Sequence, residues 1–164
     1  MKRLAGLLSL GLILVLAVGC AKRGSEEAPP SAGEVALRAA YASLEVIRTA
    51  TRETITYADY ETWVGEASAA LMAYRNEELD DETAREAAAL LSEALYDYQT
   101  AQRAWKTKSD ECPECAWRKF VNGNPRFAMP DADADYAVAL LWNEAAALVT
   151  SAGEKLSLWK NVKS

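Results

Sequence analysis

The residues best suited to chemistry are Cys112 and Cys115, set as Cys112-Pro113-Glu114-Cys115 in the stretch 108–130, which reads as the long connection before the last helix. Two sulfurs at this spacing serve four known purposes. A c-type haem needs histidine directly after the second cysteine, and Ala116 stands there. Zinc needs two further Cys or His ligands, and the chain offers one other cysteine, Cys20, and no histidine. A redox dithiol places its first cysteine at a helix N-terminus in a βαβ setting, whereas strand patterns are nearly missing from this chain. A structural disulfide needs only an oxidising compartment, although so small a ring restricts the unfolded chain little. The expectation is a structural Cys112–Cys115 disulfide, with redox activity as the alternative.

Around the pair stand Trp117, Arg118, Phe120, Arg126 and Phe127. Aromatic residues mixed with arginine are the composition of binding hot spots, so these five are candidates for a partner-binding patch. The competing expectation is that Pro113 opens a short helix ending at Gly123, whose aromatic side plugs one end of a helical core.

The lack of histidine excludes more than any residue present suggests. It removes the usual general base, the commonest metal ligand and the proximal haem ligand. Ser-His and Cys-His nucleophile pairs and the Glu-x-x-His motif of four-helix di-iron proteins are ruled out within the chain. Glu61, Glu66, Glu82 and Glu86 are spaced as a solvated helix surface. No catalytic residue, metal or cofactor is expected, and the chain reads as a non-enzyme.

Charge narrows the partners further. Lys2 and Arg3 supply two of the 18 basic residues and no acid precedes Glu26, so residues 20–164 carry 16 basic against 24 acidic groups, a net of −8. Such a surface is repelled by nucleic-acid phosphates and anionic headgroups; membrane attachment must come from another source.

That source is legible in residues 1–20, MKRLAGLLSLGLILVLAVGC. Two basic residues precede an uncharged apolar run from Leu4 to Val18, which ends in small residues. This is the pattern of an export signal, and the run is short for a spanning helix. Its end, Leu16-Ala17-Val18-Gly19-Cys20, resembles the lipobox of bacterial lipoproteins. That resemblance implies cleavage before Cys20 and diacylation of its sulfur. Ala17 departs from the leucine most frequent at that place, and Ala17-x-Gly19 also fits ordinary secretory cleavage, which would release a soluble form. By resemblance to enterobacterial sorting, Ala21 implies the outer membrane, with the body facing the periplasm. Residues 20–33 contain Gly, Ser, Pro and charge without a large apolar side chain and read as a flexible tether.

The body, 34–164, shows helical spacing outside the connection 108–130. Leu37, Tyr41, Leu44, Ile47, Thr51 and Ile55 form one stripe; Tyr60, Trp63, Val64, Ala67, Leu71 and Tyr74 form a second behind Thr56-x-x-Asp59, ending near Glu78. Asp80 and Asp81 precede a third with Ala84, Ala88, Leu91, Leu95, Tyr98 and Trp105. Pro130-Asp131 is expected to open a fourth, with Val138, Leu141, Ala145, Leu148, Ala152, Leu156 and Trp159. The expected fold is all-α: an antiparallel bundle of about four helices with a long cysteine-containing loop before the last. Ala69, Ala70, Ala87, Ala88, Ala145 and Ala146 are candidates for close helix approach, and Arg48 with Glu144 for a half-buried ion pair. The stretch Thr56-Tyr-Ala-Asp-Tyr-Glu-Thr-Trp-Val64 resembles uncharacterised exported helical proteins of bacteria, which implies fold alone.

The functional expectation is a lipid-anchored helical module of the cell envelope that binds an envelope protein or supports an assembly. The alternatives are a soluble periplasmic redox protein using Cys112 and Cys115, or a carrier holding a small apolar molecule among Trp63, Tyr74, Tyr98 and Trp142.

Overall fold

The computed structural model describes residues 29–163 except Asn76 and residues 78–80; for 160–163 it gives the helical backbone alone. The leader, Cys20 and most of the tether therefore lie outside the described residues, as does Asp80. The described chain is all-helical and contains no strand. Five α-helices follow in order: α1 (Ala32–Ala50), α2 (Tyr57–Arg75), α3 (Glu82–Lys106), α4 (Pro113–Gly123) and α5 (Ala134–Lys163), with single 3-10 turns at Thr107–Ser109 and Pro125–Phe127.

The four long helices, α1, α2, α3 and α5, each start at a short oxygen-bearing side chain that satisfies a backbone N–H the helix itself cannot. Ser31 Oγ accepts from the Glu34 N–H at 3.2 Å. Consequently α1 begins at Ala32, inside the stretch expected to be tether, and Gly33 is already buried. The Ser31-x-x-Glu34 spacing outweighs the local Gly/Ser/Pro composition. Thr56 Oγ1 accepts from the Asp59 N–H at 3.2 Å and opens α2 at Tyr57, three residues before its first core position. Asp81 accepts from the Ala84 N–H at 3.0 Å at the start of α3. For α5 the cap is Asp133, which accepts from the Tyr136 N–H at 2.8 Å. Pro130 and Asp131 form a turn, not the helix start expected of them, closed by the Ala132 N–H on the Met129 carbonyl.

The stripes meet in one core. Leu37, Ala40, Leu44 and Ile47 of α1, Tyr60, Val64, Ala67, Leu71 and Tyr74 of α2, and Leu91, Leu95 and Tyr98 of α3 are buried. They join Val138, Leu141, Val149, Leu156 and Trp159 of α5. The most extensive packing is α3 on α5, followed by α1 on α2; α3 also touches α1, α2 and α4. Of the alanines expected at close helix approaches, Ala87, Ala88 and Ala145 are buried and the other three are not. Ala69 is exposed, and Ala70 and Ala146 are half-buried. Among the described residues, the fully enclosed ones are Ala40 on α1, Ala67 on α2, Ala84, Ala87, Ala94, Ala101 and Ala104 on α3, and Ala137, Ala145 and Ala152 on α5. Adjacent alanines are turned about 100° apart on a helix, and of the three adjacent pairs only Ala87–Ala88 is buried at both members. Over the 30 residues of α5 the stripe also drifts, leaving Leu148 half-buried and Val149 enclosed. Gly153 sits where α5 passes α1: a Cβ there would meet the Tyr41 hydroxyl at 2.6 Å.

Inside the core, aromatic rings pack on one another. Tyr60 lies 5.7 Å from Trp105, 5.5 Å from Trp142 and 6.5 Å from Tyr98 between ring centroids. Trp105 and Trp142 meet edge to face at 5.5 Å. Such tilted contacts stabilise beyond simple burial. The Tyr60 hydroxyl donates to the Tyr98 carbonyl at 2.8 Å, and burial pushes both tyrosine hydroxyls above their ordinary range. Tyr98 and Trp142, proposed from sequence as ligand-lining, thus fill this space with their own rings.

Candidate functional site

The stretch 108–130 is largely helical, and its centre is α4. Pro113 occupies the first turn, where its missing N–H costs nothing and its fixed φ suits a helix. Cys112 stands at the N-cap with φ −128° and ψ 85°, and its side chain makes no capping hydrogen bond. Its N–H donates to Asp110 Oδ1 at 3.1 Å, and its carbonyl accepts from Ala116 at 2.9 Å. Cys112 and Cys115 are joined by a disulfide, with Cα atoms 5.3 Å apart, and both residues are exposed.

What fixes α4 is aromatic. Trp117 stacks on Phe120 at 5.2 Å, and Phe120 packs on Phe127 at 5.7 Å. Asn124 Nδ2 donates to the Phe120 carbonyl at 2.9 Å, turning the chain into the Pro125–Phe127 turn. The five residues proposed as a patch consequently divide. Phe120 and Phe127 are buried at 8% and 1% exposure, Trp117 is half-buried, and Arg118 and Arg126 are exposed. They form an anchored edge and not one continuous exposed surface.

Arg126 works inward. Its Nη1 donates to Glu144 Oε2 of α5 at 2.9 Å, and its Nη2 lies 3.6 Å from Asp97 Oδ1 of α3. The guanidinium also sits 4.9 Å from the centre of the Phe127 ring. One cation therefore pins the segment after α4 to two helices. Glu144 is not paired with Arg48, as expected from the stripes; Arg48 pairs with Glu45 on its own helix, which lowers the Glu45 carboxyl and raises the guanidinium. The loop arginine reaches Glu144, while a pair three residues apart meets without any tertiary adjustment.

Asp97 escaped the sequence reading. Its signal was position: three residues after Ala94 and four before Ala101, both enclosed, so its carboxylate lies on the packed face of α3. Burial pushes its carboxyl above the usual range, Glu144 adds to the rise, and Arg126 opposes it. A carboxyl whose folded pKa exceeds its unfolded one binds more protons in the folded state. Its penalty is complete above the folded pKa and is relieved as pH falls toward the unfolded value of about 3.9. Asp97→Asn is therefore expected to raise the thermal midpoint at pH 7, with the gain shrinking toward pH 4. A midpoint lowered at pH 7, or a gain independent of pH, would contradict this reading.

Two grooves flank α4. One, of 590 Å³, is lined by Arg103, Lys106, Asp110, Cys115, Lys119 and Phe120, among others. The other, of 330 Å³, is lined by Trp117, Arg118, Val121, Phe127 and Met129 together with Glu114 and Ala128. Among the described residues no cluster of three or more His, Cys, Asp or Glu side chains could hold a metal ion, and no helix is long and apolar enough to cross a membrane. No family model matches this chain, and neither the curated proteins nor the solved structures include one similar to it.

Proposed function

We propose that the chain is a lipid-anchored module of the cell envelope, tethered by an acylated Cys20 to the outer membrane and facing the periplasm. Its body is read as an antiparallel bundle of the four long helices, with α4 strapped across one end. The observation carrying the proposal is the leader itself: a basic start, a short apolar run and a small-residue approach to a cysteine. Only ten residues separate that cysteine from the Ser31 cap. With the net acidic surface that follows, an acyl chain is the physical means of attachment the sequence offers. The body is a binding or structural module, the α4 end being its most irregular surface.

The test is fractionation with mass measurement. The native chain is expected in the membrane fraction with a diacylglyceryl addition on Cys20, and Cys20→Ser in the soluble envelope fraction. An unmodified Cys20, or a serine variant that still sediments with membranes, would refute the anchor.

A further inference from the structure

The Cys112–Cys115 bond does little for the fold. It spans three residues, so the entropy it removes from the unfolded chain is small, and α4 is fixed by Trp117, Phe120 and Phe127. Both cysteines are exposed. Cys115 lines the 590 Å³ groove together with Phe120, three cationic residues, Arg103, Lys106 and Lys119, and one acidic residue, Asp110. Neither lysine has a carboxylate partner among the described residues, whereas Arg103 turns to Thr100 Oγ1 at 2.7 Å. A groove of this volume suits a small molecule.

We propose that the disulfide is an exchange centre and that the groove receives a small anionic thiol. The thiolate of such a molecule attacks Cys115 Sγ, forming a mixed disulfide and expelling Cys112 Sγ as a thiolate. That sulfur leaves at the N-cap of α4, where it has the first-turn N–H groups of an uncapped helix to accept from, which makes it the better leaving group. A second molecule of thiol attacks the mixed disulfide, releasing Cys115. Two thiols become one disulfide, and their two protons and two electrons pass to Cys112 and Cys115. The oxidant is the protein's own bond. Lys106 and Lys119 select the attacking molecule by charge.

The test uses the full chain carrying Cys20→Ser, so that the pair supplies all titratable sulfur and the outcome is independent of anchoring. Three probes are compared: 2-mercaptoethanesulfonate, 2-mercaptoethanol and 2-aminoethanethiol, which are anionic, neutral and cationic. Reduction without denaturant is read by alkylation and intact mass, and expressed per thiolate. The anionic probe is expected to react about tenfold faster than the cationic one. In Lys106→Gln plus Lys119→Gln that preference disappears while the neutral probe's rate stays the same. A bond inert to all three probes, equal rates for the charged probes, or a preference that survives the double variant would each overturn the proposal.

Discussion

Phe127→Ala is expected to cost about 3–5 kcal/mol of unfolding free energy, the range for emptying an enclosed aromatic site. Phe127 is 1% exposed, stacks toward Phe120 and lies under the Arg126 guanidinium. Its loss removes the partner of both. The damage should begin at α4, because that helix has few other attachments: it touches α3 and the turns on either side of it. Amide exchange in 113–123 is expected to accelerate by about a hundredfold or more, at roughly 1.4 kcal/mol per tenfold, while enclosed amides of α3 and α5 keep more of their protection. Arg118→Ala, at an exposed position on the same helix, should stay within about 0.5 kcal/mol of the native protein. Equal losses in the two variants would mean that the α4 end is not held by its aromatic side.

Leu141→Ala is expected to lower stability by about 2–5 kcal/mol, measured as a shift of the urea midpoint at constant slope. Leu141 is fully buried on α5, the helix most extensively packed against α3. Its loss combines the transfer free energy of the removed methyl groups with the cavity they leave. The cavity contribution should be near the upper end here, since neighbouring positions on the stripe, Ala137 and Ala145, have no longer side chain to swing into the void. Leu158→Ala on the exposed side of the same helix is the matched control, with little change expected. A cost below about 1 kcal/mol at Leu141 would place the core elsewhere.

Much of the helical character was readable in advance, because the apolar stripes at steps of three and four are a direct image of one face of a helix. Leu37, Leu44 and Ile47, or Val64, Ala67 and Leu71, need no tertiary knowledge to be assigned to a common side. The limits lie where local and distant forces compete. Ser31 initiates α1 inside a segment whose composition suggested a tether, and Asp133, not Asp131, caps α5, since several aspartates in succession offer equivalent signals. Least legible was the cluster of Arg126, Asp97 and Glu144. It joins residues 29 and 18 positions from the arginine across three elements, and no periodicity encodes such a meeting. The same holds for the division of the five residues near α4: only the docked geometry separates Phe120 and Phe127, which hold the helix, from Arg118, which faces water.

The enclosed alanines of α3 and α5 have one further implication. Where two backbones approach closely enough to be lined by single methyl groups, there is almost nothing to trim and no room to add, so the interface tolerates change in one direction only. Glycine loosens it; anything bulkier than serine prises the pair apart. Sequences drifting from this one should therefore vary freely on their outer surfaces, exchange the larger core side chains only for others of similar volume, and keep their smallest residues at Ala94, Ala101, Ala145 and Ala152.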